Sequence, residues 1–237
     1  MRERVRARRL GGLVIVVATV VVGLAAWVAT YTTIFEVREV LIRGERHTTE
    51  TAVASQAQVA GVNLFHLDLA AVEHRLEADP WIADAIVRRD LPATLVIDIT
   101  EREPVAVDDL GEVVAADGTV LPFADVGGLP TIRPTTGTLA IDHRTSSAVA
   151  IASLPPSLQS RVGSVLALAA GALVLELRDG VTVTYGEPVE LETKGIVLKA
   201  VLAWARREGE RPVTIDVAVP QAPTATLEDG TTFTPGF

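Results

Sequence analysis

The longest run of apolar positions lies between Leu10 and Thr30, where LGGLVIVVATVVVGLAAWVAT carries no charged side chain. As a helix, at ~1.5 Å per residue, this stretch is ~31 Å long, close to the ~30 Å hydrocarbon thickness of a bilayer. Arg2, Arg4, Arg6, Arg8 and Arg9 precede it, opposed only by Glu3, whereas Tyr31 to Glu45 contains just Arg38 and Arg43 as basic residues. This asymmetry predicts a cytoplasmic N-terminus and an extracytoplasmic remainder. A cleaved signal peptide is the alternative, but such segments run only ~7–15 apolar residues and end at a small-residue site. Here the run is longer, and Trp27 and Tyr31 at its exit suit a membrane interface. The expectation is a basic tail over 1–9 and an uncleaved anchor over 10–30.

Beyond the anchor the periodicity changes. Phe35 to Arg43 alternates with one break in phase and predicts a strand ended by Gly44. Thr48 or Thr49 then caps a helix to about Val59, with Gly61 as its stop, and Asp68 caps a second from Leu69 to Ala78 with Leu69, Val72 and Leu76 on one face. Trp81 to Arg89 reads as a strand with Ala83, Ala85 and Val87 on one side and Ile82 and Ile86 on the other. The connection Asp90-Leu91-Pro92-Ala93 leads to Thr94–Glu101, with Leu95, Ile97 and Ile99 inward. The order β-α-α-β-β defines a compact α+β unit, assigned to 34–103.

The remainder, 104–237, reads as a mixed, mostly antiparallel β domain with flanking helices. Val113 to Leu121 predicts a hairpin around Asp117-Gly118, and Ser146 to Leu154 a short helix stopped by Pro155 and Pro156. In Leu173 to Tyr185 a two-residue turn places leucines opposite threonines. A three-residue loop, Arg178 to Gly180 with Gly180 left-handed, instead pairs Leu177 with Val181, Leu175 with Val183 and Leu173 with Tyr185, collecting the apolar side chains on one face. Leu191 to Glu208 predicts a helix with a buried stripe of Ile196, Val197, Val201, Leu202 and Ala205, ended by Gly209. Strands follow at Val213–Val219 and Thr224–Leu227, then a turn at Asp229-Gly230.

Charge and composition narrow the function. The net charge is −9, and the first nine residues carry +4, so the rest carries −13. An acidic surface of that kind excludes nucleic acid, which demands phosphate neutralisation. With no cysteine, the fold has no disulfide or thiolate metal site and is held by apolar burial.

The segments FEVREVLIRGERHTTETAV and NLFHLDLAAVEHRLEADPWIADAIVRRDLPATLVIDITEREPVA resemble the POTRA domain of the bacterial cell-division protein family FtsQ, also called DivIB. The most specific piece runs from Pro80 to Ala106. The second half is similar to the family's β domain in L-x-D-G-V at Leu177 to Val181, in Tyr185-Gly186, in Lys194 and in IDVAVPQAP from Ile215 to Pro223. The resemblance implies a single-pass divisome scaffold with no cofactor and no small-molecule substrate. It implies a place at the division septum and binding of FtsB- and FtsL-like partners and other division proteins. The segment Thr135 to Arg144 matches nothing clear and receives no role.

A search for chemistry returns ordinary explanations. His66, Asp68, Glu73 and His74 lack the spacing of a zinc site, with Asp68 better read as a helix cap. Ser164 lacks a nucleophile elbow, neither Lys194 nor Lys199 follows a serine at the S-x-x-K distance, and Glu101 and Glu103 read as solvated acids at a domain border. No catalytic, cofactor or metal residue is assigned. A POTRA-bearing transport protein is the first alternative, but it requires many more alternating strand segments. An anchored cell-wall enzyme, the second, requires a nucleophile–base or acid pair. The functional candidate is the terminal strand Thr224, Ala225, Thr226 and Leu227. If it forms a sheet edge it offers unpaired backbone groups to a partner's strand, the role the resemblance implies; the competing arrangement folds Thr231 to Phe233 back over that edge.

Overall fold

A computed structural model describes residues 15–24, 27–28, 31–135 and 140–235. The expected basic tail and part of the expected anchor (10–14, 25–26 and 29–30) lie outside the described residues, as do 136–139 of the unassigned segment. Residues 15–24 and 27–28 are helical. Among the described residues no helix is long and apolar enough to cross a membrane. Two compact units emerge, the first ending at Glu101 and the second beginning at Arg102, and together they form a mixed α+β chain.

In the first unit a short 3-10 turn, Thr33–Phe35, precedes β1 (Glu39–Arg43), α1 (Glu50–Ala57), α2 (Leu69–Glu77), β2 (Ile82–Asp90) and β3 (Thr94–Glu101). The sheet order is β1-β3-β2, with β1 parallel and β2 antiparallel to the central β3. The helix starts are chemically defined. Thr49 Oγ1 accepts from the Ala52 N–H at 3.3 Å, and Asp68 Oδ1 accepts from the Ala71 N–H at 3.2 Å, each satisfying an orphan donor of the first turn. α1 ends earlier than expected, because Gln58 rather than Gly61 takes the left-handed cap. Val53, Val72, Leu76, Leu95 and Ile97 are almost wholly buried between helices and sheet. β2 departs from strict alternation. A bulge between Ile82 and Asp84 brings Ile82 onto the buried face with Ala85 and Val87, while Ala83 and Ile86 face outward.

Ten strands form the sheet of the second unit: β4 (Pro104–Val107), β5 (Val113–Ala115), β6 (Val120–Leu121), β7 (Thr131–Pro134), β8 (Val162–Ala167), β9 (Leu173–Leu177), β10 (Thr182–Gly186), β11 (Pro212–Asp216), β12 (Thr224–Leu227) and β13 (Thr232–Phe233). Their spatial order is β13-β12-β11-β10-β9-β8-β7-β4-β5-β6, parallel at β10/β11, β7/β8 and β4/β7 and antiparallel elsewhere. Helices α3 (Ile141–Ala152), α4 (Pro156–Gln159) and α5 (Leu191–Glu208) complete the unit. Its core is built from Leu175, Val183, Tyr185, Leu198, Val201 and Ile215, none more than 0% exposed.

One turn design recurs. Five hairpin connections of the second unit, 108–112, 115–119, 168–172, 177–181 and 227–231, each have the same two bonds. The first residue's N–H donates to the fifth residue's carbonyl at 2.9 Å, and the glycine N–H at position four donates back to the first carbonyl at 2.8–3.1 Å. The glycines, Gly111, Gly118, Gly171, Gly180 and Gly230, have φ between 82° and 89°, a region where a Cβ is strained. This is the three-residue loop with a glycine bulge that the sequence predicts at Leu177–Val181. Leu175 faces Val183 as expected, but a second bulge after Thr184 sets Leu173 opposite Gly186 rather than Tyr185.

Helix α5 has the expected bounds and a different buried stripe. Ile196 is 63% exposed, Val197 and Leu202 are half-buried, and Lys194, Gly195, Leu198, Val201 and Ala205 face inward. The backbone bends after Tyr185. It leaves the Glu187 carbonyl pointing inward, where Lys194 Nζ donates to it at 2.7 Å and lies 5.7 Å from the centre of the Tyr185 ring. Gly195 lets the helix approach closely, since a Cβ there would sit 3.0 Å from Pro155 Cδ.

Candidate functional site: the C-terminal sheet edge

The candidate strand Thr224–Leu227 is real, but it is not the outermost. β12 pairs with β11 through Asp216↔Thr224, Ile215↔Ala225 and Thr214↔Thr226, and on its other side with β13 through Ala225↔Phe233 and Thr226↔Thr232. The open-edge arrangement is therefore corrected: the Asp229-Gly230 turn folds the chain back and β13 takes the edge. The turn supplies the reason. Asp229 Oδ1 accepts from the Thr231 N–H at 2.8 Å, Gly230 supplies the left-handed residue at φ 83°, and the Leu227 N–H donates to the Thr231 carbonyl at 2.9 Å. The Thr231 N–H and hydroxyl hold the Asp229 carboxyl below its ordinary value.

The closure is slight. β13 has two residues, Thr226 and Thr232 touch through their hydroxyls at 3.0 Å, and Phe233 lies against Trp204 of α5 with ring centres 4.4 Å apart. Ala225 is fully buried, whereas Thr224, Thr226 and Leu227 are half-buried. In an antiparallel pair, residues alternate between facing the neighbour and facing away. The Leu227–Thr231 bond thus turns the Thr231 and Phe233 carbonyls and the Phe233 N–H toward β12, and the Thr232 N–H and carbonyl outward. At the other end of the sheet β6 forms the second, equally short edge.

The titratable groups singled out in the sequence do not converge. His66 meets Tyr31 at a tilt of 36° with ring centres 4.3 Å apart, Asp68 caps α2, and Glu73 Oε1 accepts from the Val87 N–H at 2.8 Å. Among the described residues there is no group of three or more His, Cys, Asp or Glu placed to hold a metal. Ser164 Oγ donates to the Glu176 carboxylate, and Arg133 binds both of them, so the hydroxyl belongs to an ion-pair network on the sheet. A groove of about 1050 Å³ runs beside the C-terminal half of α5, with Lys199, Arg206 and Arg211 on its wall and Arg161 paired to Asp179.

Three ionisable side chains are structural in ways the sequence does not disclose. Glu101, read as a solvated acid, has a side chain only 3% exposed. Its Oε1 accepts from the Thr48 N–H at 2.8 Å and from the Thr48 hydroxyl, and its Oε2 accepts from the His47 N–H at 2.8 Å and approaches His47 Nδ1 at 3.1 Å. Burial opposes ionisation here, but the Thr48 hydroxyl and the backbone N–H groups of Thr48, His47 and Arg46 outweigh it and hold the carboxyl at about 2. Lys194 is 1% exposed; burial pushes its ammonium down, against the carboxylates of Glu190, Glu187 and Asp216. Burial likewise raises the Tyr185 phenol, whose hydroxyl donates to the Leu191 carbonyl at 2.7 Å.

A three-stranded β-α-α-β-β unit followed by a ten-stranded sheet that ends in a two-residue edge defines a protein built from a POTRA domain and a β-sheet domain. The family described as "POTRA domain, FtsQ-type" matches residues 35–102. Proteins named cell division protein FtsQ match across nearly the whole chain. That of Mycobacteroides abscessus is 29% identical over 90% of this chain and 68% of its own length, and that of Mycolicibacterium smegmatis 30% identical over 82% and 58%. That of Corynebacterium glutamicum is 26% identical over 89% of this chain and 95% of its own length. Among solved structures, the major extracytoplasmic domain of the cell division protein DivIB from Geobacillus stearothermophilus is a weak likeness. It has a TM-score of 0.33 and 14% identity, covering 45% of this chain and 92% of that one. Residues 35–102 thus carry the FtsQ-type POTRA domain, and the chain as a whole is similar to bacterial cell-division proteins of the FtsQ/DivIB family.

Proposed function

We propose that this protein is a non-catalytic scaffold of the division machinery, held at the septum by a single membrane-spanning helix over 10–30 with residues 1–9 in the cytoplasm. The POTRA domain, 34–103, and the β domain, 104–237, then lie outside the membrane and bind other division proteins, among them FtsB- and FtsL-like partners. The site is Thr224, Ala225, Thr226 and Leu227. A partner's strand takes the place of β13 beside β12, so that backbone bonds give affinity and side-chain pockets give selectivity. The observation that supports this is the length of β13. Two residues give this sheet edge so few bonds that a longer incoming strand outcompetes them.

The test compares two variants of the full-length protein in partner capture from its own membranes. Ending the chain after Glu228 removes β13 and frees β12, and we expect tighter capture of small division proteins. Thr232→Pro removes the outward N–H of β13 and leaves β12 intact, and we expect capture to persist. Loss of capture in both variants would put the added strand on β13 instead. Unchanged capture in the truncated protein would move the interface away from this edge.

A further inference from the structure

The face of the POTRA unit that adjoins the apolar span is a rigid platform. Leu64 N–H donates to the Phe35 carbonyl at 2.8 Å, Val37 N–H to the Val62 carbonyl at 2.9 Å and Asn63 Nδ2 to the Thr32 carbonyl at 3.3 Å, so 31–37 and 61–66 form one layer. Aromatic rings fasten it further. Phe35 and Phe65 meet edge to face at 4.8 Å, Tyr31 tilts over His66 at 4.3 Å, and Trp27 meets Tyr31 at 5.0 Å. Despite this order the outer surface is apolar and uncovered: Ile34 is 56%, Phe65 42% and Tyr31 58% exposed. A contiguous exposed apolar surface on an otherwise acidic domain marks an interaction site.

Chain length identifies what meets it. Ile34 is four residues beyond Thr30, so at ~3.5 Å per residue it lies within ~14 Å of the end of the apolar run. The polar layer flanking the hydrocarbon is itself ~5–8 Å deep on each side. Amphipathic rings settle at that depth. Arg38, exposed at the platform's rim, donates Nη2 to the Thr33 carbonyl at 3.1 Å, which leaves the rest of its guanidinium for phosphates. We infer that Ile34, Phe35 and Phe65, with Tyr31 and His66, form a lipid-facing foot by which the POTRA domain rests in the headgroup–acyl boundary of the bilayer. The inference rests on the reading of 10–30 as membrane-spanning.

The absence of cysteine makes the test direct. Single cysteines at Phe65→Cys, Ile34→Cys, Asp84→Cys and Val20→Cys are spin-labelled in the full-length protein, which is placed in nanodiscs of dioleoylphosphatidylcholine. Access of oxygen and of a water-soluble nickel chelate is then measured. Asp84 pairs with Thr100 at the end of the sheet opposite the Glu39↔Thr94 pair and is the aqueous reference. We expect labels at 65 and 34 to be several-fold less open to nickel than that at 84 and more open to oxygen. Equal nickel access at 65, 34 and 84, with the label at 20 protected, would overturn the foot and leave the anchor standing. A label at 20 as open to nickel as that at 84 would overturn the anchor and the foot with it. Exclusion of both reagents at 65 and 34 would mean that a second copy of the chain covers the face, and would overturn the lipid assignment.

Discussion

Replacing Glu101 by Gln tests whether a single carboxylate clamps the loop after β1 onto the end of β3. The carboxyl falls from an ordinary 4.5 to about 2 on folding, with its side chain 3% exposed. At ~1.4 kcal/mol per pH unit this is worth about 3 kcal/mol at neutral pH. Gln keeps the shape but turns an amide NH₂ toward N–H donors, so we expect most of that stabilisation to be lost. The sign follows from the direction of the shift. A depressed carboxyl stabilises fully above its unfolded value, near 4.5, and the contribution disappears as the pH falls toward 2. The wild-type advantage over Glu101→Gln is therefore about 3 kcal/mol above pH ~5 and shrinks steadily below 4.5. Trp81 is the reporter, because its ring stacks on His47 at 4.7 Å and 19°. Urea unfolding of the full-length protein, followed by Trp81 fluorescence with Trp27 and Trp204 changed to Phe in both proteins, gives the difference at each pH. Equal stability at pH 7, or a difference that does not narrow below pH 4.5, would refute the clamp.

Three further outcomes follow from the packing. Gly44→Ala is expected to unfold or severely weaken the POTRA unit in thermal melts, because φ is 95° and a Cβ would lie 2.0 Å from the Ile99 carbonyl oxygen. Lys194→Ala should cost about 2–4 kcal/mol in denaturant titration, as it empties the site of a fully buried stem. Lys194→Met, which keeps the stem and removes only the ammonium, should cost markedly less. Ile97→Asp places a charge at a position 0% exposed and is expected to abolish the dispersed NMR resonances of the first unit.

What the sequence disclosed was local. Asp68 caps its helix, Leu95, Ile97 and Ile99 point inward, α5 runs from Leu191 to Glu208, and Leu177–Val181 closes as a three-residue loop, because neighbouring residues decide each of these. The failures were non-local. Nothing beside Glu101 tells that its donors come from Arg46 to Thr48, more than fifty residues earlier. Lys194 faces inward and donates to a carbonyl seven residues away, a pairing that no hydropathy stripe encodes. At the candidate site Asp229-Gly230 announced a turn, yet whether two residues suffice to close an edge depends on Trp204, a residue of another element. The recurring loop shows the same limit. Its Asp-Gly signal is present at 117–118, 179–180 and 229–230, but Leu110-Gly111 and Ala170-Gly171 make the same turn without it.

The parallel pairing of β1 with β3 has a mechanical meaning. The chain enters the POTRA sheet at the start of β1 and leaves it at the end of β3, and because the two strands are adjacent and parallel these points lie at opposite ends. A pull on the two exits slides β1 along β3 and loads the registered pairs from Glu39↔Thr94 to Arg43↔Asp98 together, whereas an antiparallel pair pulled from one end opens bond by bond. The domain is thus wired in shear, the geometry in which a small sheet best resists tension applied at its two chain exits.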